Sequence, residues 1–233
     1  MSLLRTTRRL AGALVVAAVA GTPAHAQVSW ADWTSMAANS VTGTMMFNST
    51  PVGVTYTGAY AFAQLTCGTN YWSPDVYTSA TVPNAPTACD IIGLAQGGVN
   101  TVTFSTAVTN PLFAFLSWNG QGATPVTFTG MNGAATVTPT LQLLSQGTSY
   151  WGSGSASVSG NDLNVSGEVG GTVMLQGTFT QFSFNDSPEY WHGFTVGAQS
   201  LAASSVPEPS TVALTMTGLL GVLGMARRRR RSV

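Results

Sequence analysis

An all-β fold, an antiparallel and jelly-roll-like sandwich between two short terminal segments, is what this sequence predicts on three observations. Apolar residues alternate with polar ones in short runs separated by Gly, Asn and Pro, while a helical period is nearly absent. Only 7% of the 233 residues are charged and 44% are apolar, and the rest are dominated by Thr, Ser, Gly and Asn, a composition that suits a secreted β module. About 180 residues lie between Gln27 and Val206, one domain of ordinary size.

Residues 1–26 read as a secretory signal: Arg5, Arg8 and Arg9, the apolar run Leu10 to Ala20, then Pro23 and the Ala24-His25-Ala26 cleavage site. The apolar run is about 11 residues against the ~20 that a bilayer span needs. Cleavage by signal peptidase after Ala26 is therefore expected. Arg8-Arg9 lacks the further residues of a twin-arginine signal, which leaves the Sec translocon as the route.

In the exported body, Val52, Val54 and Tyr56 alternate in the first clear strand, and Val102 and Phe104 in another. Leu112 to Trp118 is a continuous apolar run suited to a strand buried on both faces. Val126 and Phe128 precede Gly130-Met131-Asn132-Gly133, whose Asn-Gly favours a hairpin; Asn119-Gly120 gives a similar signal. Val137, Leu141 and Leu143 continue the pattern. Val173, Leu175, Gly177 and Phe179 keep one parity and Phe182 and Phe184 the other, so a β-bulge is expected near Thr180. About eight to ten strands in one domain give the sandwich.

All eight basic residues lie at the ends, three at Arg5, Arg8 and Arg9 and five from Arg227 to Arg231, whereas all eight acids lie between them. The exported part is thus purely acidic. Nucleic-acid affinity rests on Lys and Arg displacing counterions, so nucleic acid is excluded as a partner. Cys67 and Cys89, an even count in an oxidising compartment, favour one disulfide.

Groups for catalysis are few: the exported domain has His192 and seven acids before Glu208. His192 with Asp186 or Glu189 could serve a hydrolytic triad, but no G-x-S-x-G elbow occurs and the residue sits in a strand-edge context. Asp162, Glu168, Asp186 and Glu189 could supply a carboxylate pair for glycoside cleavage. Neither pattern is specific, so no catalytic residue is expected and the chain reads as a non-enzyme. Asn161-Asp162 and Asn185-Asp186 are loop-like positions where calcium could bind, yet the D-x-D-x-D spacing is missing and Asx turns explain them. No cofactor or metal site is expected.

Three Tyr-Trp pairs, Tyr71-Trp72, Tyr150-Trp151 and Tyr190-Trp191, are the main binding feature. Neighbours along a strand point to opposite faces, so one member of each pair is available to stack on a sugar ring. Trp151 and Trp191 are the candidate glycan contacts; packing inside the sandwich is the competing explanation. Gly152-Ser153-Gly154-Ser155 reads as a flexible loop across the sandwich end.

The C-terminal segment runs Val206-Pro207-Glu208-Pro209-Ser210-Thr211, then an apolar stretch to Ala226, then Arg227, Arg228, Arg229, Arg230 and Arg231. The arginines stay cytoplasmic, so the stretch threads the inner membrane with its N-terminus outside. A helix over 210–226 would span only ~25 Å of a ~30 Å hydrocarbon core, marginal for a permanent anchor. This order of motif, span and arginine cluster resembles the PEP-CTERM sorting signal. The resemblance implies recognition by the membrane enzyme exosortase, processing near Pro207-Glu208-Pro209, and delivery to the cell surface or medium of a Gram-negative bacterium that makes exopolysaccharide. The segments Phe104–Trp118 and Gly147–Gly197 resemble a β-sandwich type found upstream of such tails, which implies a fold and no activity.

The expected organisation is therefore a signal peptide at 1–26, a β-sandwich domain at 27–203 and a sorting tail at 204–231, with its motif at 206–211. The expected function is a surface or extracellular-matrix protein of structural or adhesive character; the alternative is a module that binds the producer's exopolysaccharide.

Overall fold

The computed structural model describes residues 27–66, 68–119, 125–148 and 150–202. The expected signal peptide, Cys67, Gly120, the motif Val206–Pro209, the 210–226 span and Arg227–Arg231 all lie outside the described residues. Among the described residues no helix is long and apolar enough to cross a membrane.

The described chain forms seventeen strands and one short helix. In order these are β1 (Ser29–Trp30), β2 (Asp32–Ala37), β3 (Ser40–Phe47), β4 (Thr50–Thr57), β5 (Phe62–Gln64), α1 (Pro74–Tyr77), β6 (Ile91–Leu94), β7 (Gly98–Thr109) and β8 (Leu112–Trp118). Then come β9 (Val126–Asn132), β10 (Ala135–Val137), β11 (Thr140–Gly147), β12 (Ser155–Ser159), β13 (Asp162–Ser166), β14 (Val169–Gln176), β15 (Thr178–Asp186), β16 (His192–Ala198) and β17 (Ser200–Leu201). This exceeds the expected strand count because segments such as Ser155–Ser159 and Asp162–Ser166 carry two apolar residues each, too few to display a period.

Every pairing is antiparallel, in two sheets that share one core. One sheet runs β11-β14-β8-β16-β6-β5, with β1 beside β16. The other runs β12-β13-β9-β15-β7-β4-β3-β2, with β10 beside β9 and β17 beside β7. Their centres are β6-β16-β8-β14 and β7-β15-β9-β13, and the chain alternates between them except from β9 to β13, which pair within one sheet, the winding of a jelly roll. The β2–β4 meander extends it at one edge, and β11 and β12 extend it at the other. Two-residue turns close the meander, and Asn39 and Asn48 take φ of 58° and 55° there, a conformation Asn tolerates. The expected hairpin after β9 forms with Gly133 at φ 61°.

Phe113 is the hub of the core between the sheets, its ring 4.9 Å from that of Phe184, 5.1 Å from Phe194, 5.3 Å from Phe128 and 5.6 Å from Trp118. A second cluster covers the outer face of the smaller sheet, where Trp30, Trp72, Val76, Tyr77 and Val82 lie on Ile91, Leu112, Ala114 and Leu116. This extra layer explains why all of β8 and β16 is buried, as the apolar run of β8 predicts. The outer face of the larger sheet is instead hydroxyl-rich. Its register aligns Thr42, Thr55 and Thr103 in one row, with Ser40, Thr57, Thr101 and Ser183 in the next. Thr fits a half-exposed pleated surface without needing charge.

The register between β15 and β7 breaks between Phe179 and Gln181, where the parity change predicts a bulge. The surplus residues lie mainly in β7, which advances from Thr103 to Val108 across the same interval. The shared parity of Val173 and Phe179 is not that of one strand, because β14 and β15 belong to different sheets.

Candidate functional site

The three Tyr-Trp pairs, distant in sequence, meet at one end of the sandwich. Tyr71 lies 5.1 Å from Tyr150, 5.9 Å from Trp151 and 5.6 Å from Trp191, centroid to centroid. Trp151 lies 4.8 Å from Trp191 at an interplanar angle of 88°, and Phe62 packs on the other side of Trp191 at 5.0 Å. Apart from the Tyr71–Trp151 pair, which is tilted at 35°, these are edge-to-face contacts, an arrangement aromatic quadrupoles prefer. Tyr190 is 95% exposed, Tyr150 57% and Trp151 38%, whereas Trp191 is half-buried and Trp72 lies beneath the cluster against Tyr77. None of the pairs lies within a strand, contrary to the alternation argument. Their exposure follows from loops that end on the same rim. Of the candidate glycan contacts, Trp151 and Trp191 are therefore brought together, and Tyr71, Tyr150 and Tyr190, which the sequence marks only as members of separate pairs, join them on the same rim.

The loop carrying Tyr190 is pinned on both sides. Pro188 packs on Gly97, the Glu189 amide donates to the Ala95 carbonyl at 3.2 Å, and the Glu189 carboxylate meets His192 Nδ1. His192 Nε2 faces Asp186 Oδ2 at 3.2 Å, with both carboxyl side chains almost wholly buried and the imidazole fully so. The carboxylates lie off the N–H directions, so these are ion-pair contacts rather than aligned hydrogen bonds. Burial pushes the imidazole pKa down, but the two carboxylates outweigh it and hold the pKa above its ordinary value. Asn100 Nδ2 donates to Asp186 Oδ1 at 2.9 Å, and the Tyr56 hydroxyl donates to Asn100 Oδ1 at 2.6 Å. Burial, then the Asp186 charge, pushes the Tyr56 phenol upward.

His192 is the first residue of β16, at the edge of a strand but not of the sheet. It stands opposite Leu94 of β6, and its neighbour Gly193 pairs with both β6 and β8. Trp118 covers the imidazole at 4.1 Å. A bulge puts it there. β8 has one residue more than β14 between the pairs Phe115–Gly171 and Trp118–Val169, and Ser117 takes φ 55°. Phe113 and Phe115 face the core while Leu112, Ala114 and Leu116 face the outer layer, so Trp118 would continue outward without the extra residue. Ser117 Oγ donates to one Glu168 oxygen and Asn119 Nδ2 to the other at 3.3 Å.

Asp162 and Asn185 are also committed. Asp162 Oδ1 accepts from the Thr127 hydroxyl at 2.6 Å, and Asn185 Oδ1 accepts from the Thr127 amide at 2.7 Å. These side chains tie strands together rather than form open loops. Among the described residues no group of three or more His, Cys, Asp or Glu side chains is arranged to hold a metal ion. Gly152-Ser153-Gly154-Ser155 is not a loose loop either: a Cβ on Gly154 would lie 2.5 Å from the Ser166 carbonyl oxygen. Cys89 is buried and takes φ 82°, and the Gly68 amide donates to its sulfur at 3.3 Å. That contact brings the residue next to Cys67 against Cys89.

Both boundaries of the described domain lie at the end opposite the aromatic cluster. Ser29 pairs with Ala198, and the Ala202 amide donates to the Ala107 carbonyl at 2.9 Å, so the C-terminal segment leaves beside the N-terminus. Residues 205–231, beyond that boundary in sequence, match the family model for the PEP-CTERM protein-sorting motif. That motif is the recognition signal of exosortase, and it implies export by that system through a membrane-anchored C-terminal sorting signal. No curated protein and no solved structure matches the chain.

Proposed function

We propose that this is a non-catalytic cell-surface or extracellular-matrix protein, exported through Sec, cleaved after Ala26, and released or attached at the surface by exosortase cutting near Pro207-Glu208-Pro209. The match at residues 205–231 carries this reading. Its structural or adhesive character is supported by the chemistry of the body. Both nitrogens of the sole histidine in the described residues face carboxylates and its ring is buried, so no free lone pair is left to serve as a base. Asp186 and Glu189 are sealed with it, which withdraws that carboxylate pair from an accessible bond. A disulfide between Cys67 and Cys89 belongs to the same reading, since the exported chain meets an oxidising compartment.

The aromatic cluster favours a second reading, a glycan-binding module, for which its exposed rings are the specific observation. Fractionation of the native host tests the sorting claim. With Pro207-Glu208-Pro209 replaced by Ala-Ala-Ala the protein should remain in the inner membrane, while the wild type reaches the surface or medium. Identical distribution of the two would remove exosortase from the account.

A further inference from the structure

We propose that Tyr71, Tyr150, Trp151, Tyr190 and Trp191 form a membrane-distal tip that binds the neutral pyranose units of an extracellular polysaccharide. The inference rests on the display reading and names the ligand class and residues of the glycan-binding alternative.

Placement is the first argument. β16 begins at His192, beside the cluster, and ends at Ala198, beside the point where the tail leaves. The six steps along its seven residues separate the two by about 20 Å. The rings thus sit on the side of the domain turned away from the sorting tail. The second argument is exposure together with rigidity. Large aromatic surface left in water marks an interaction site when it is contiguous. Here Tyr71, Tyr150, Trp151 and Trp191 brace one another mostly edge to face, and Tyr190 projects from a loop held by Glu189 on one side and half-buried Trp191 on the other. Little ordering cost remains for a ligand to meet.

Chemistry selects the ligand. The exported domain has no Lys or Arg, so an anionic polymer finds no cation and meets a net negative protein. The C–H face of a neutral pyranose ring fits the negative face of an aromatic ring and buries apolar surface on both. Several rings side by side suit consecutive units of a chain, whose contacts reinforce one another.

Affinity gel electrophoresis of the purified full chain in detergent, with a β-glucan, an α-glucan or a galactomannan in the gel and alginate as the acidic comparison, tests this. Retardation by at least one neutral polymer and none by alginate is expected. Trp151→Ala and Tyr190→Ala should each weaken the apparent affinity about tenfold, while Met36→Ala, on β2 of the other sheet, should not. Tyr190 is almost fully exposed, so its variant reports binding without a folding defect. Absence of retardation by all three neutral polymers overturns the proposal, as does equal retardation of the variants or preference for alginate. Self-association that Trp151→Ala abolishes, with no polysaccharide binding, would assign the tip to a second copy of this chain instead. The assay uses purified protein, so its failure is distinct from a failure of sorting, which is read in the host.

Discussion

At the scale of the residue, His192 holds two carboxylates that could not be buried beside each other without it. Replacing it by Gln removes the positive charge and leaves Asp186 and Glu189 uncompensated, which should cost about 3–5 kcal/mol of folding stability, measurable as a fall in the chemical-denaturation midpoint. Its pKa stands above the ordinary 6.5, so protonation favours the folded state. That contribution is complete below pH 6.5 and is lost as pH rises through the folded value. Asp90 acts in the same direction. Burial raises its carboxyl from 3.8 to about 6, although the Trp33 amide donates to Oδ1 at 2.9 Å and opposes the shift. Its contribution is complete below pH 3.8 and lost as pH rises through 6. Thermal unfolding should therefore shift to lower temperature between pH 5 and pH 8, and His192→Gln should flatten the upper part of that profile. A melting temperature that rises across this range would contradict the assignment.

Among elements, β8 and its bulge decide how the tip is supported. Glu168 holds the bulge through Ser117, the bulge turns Trp118 inward, and Trp118 covers the imidazole that pins the Tyr190 loop. Glu168→Ala should destabilise the domain by about 1–3 kcal/mol, because a buried hydroxyl loses its charged acceptor. It should also increase hydrogen exchange in residues 187–191 relative to the β2–β4 meander. Equal protection in both regions would break the proposed link.

The alternating strands were legible in the sequence because a half-buried strand advertises its period, as in Val52, Val54 and Tyr56. The parity change at Thr180 also located a real irregularity. The bulge at Ser117 was not legible, since a run apolar throughout has no parity to break. Nor was the clustering of three Tyr-Trp pairs, which depends on which loops the jelly-roll winding brings to one rim. The surplus strands escaped notice because Ser and Thr pair as well as apolar residues do while leaving no hydrophobic signal.

For the whole molecule, the packing hub and the polarity of the domain matter most. Phe113 touches rings from both sheets, so Phe113→Ala should cost about 3–5 kcal/mol through lost burial and a residual cavity. A loss below about 1 kcal/mol, read from urea denaturation, would mean that the sheets do not depend on this contact. The polarity, with tether at one end and aromatic rings at the other, has meaning only if the chain is exported and processed as its tail implies. Intact mass of the protein recovered from the membrane and the medium of its native host tests that most directly. The account predicts a released species that starts at Gln27 and ends between Pro207 and Ser210, with or without an added group. A single membrane-bound species retaining Val233 would contradict it and make the tail a plain anchor.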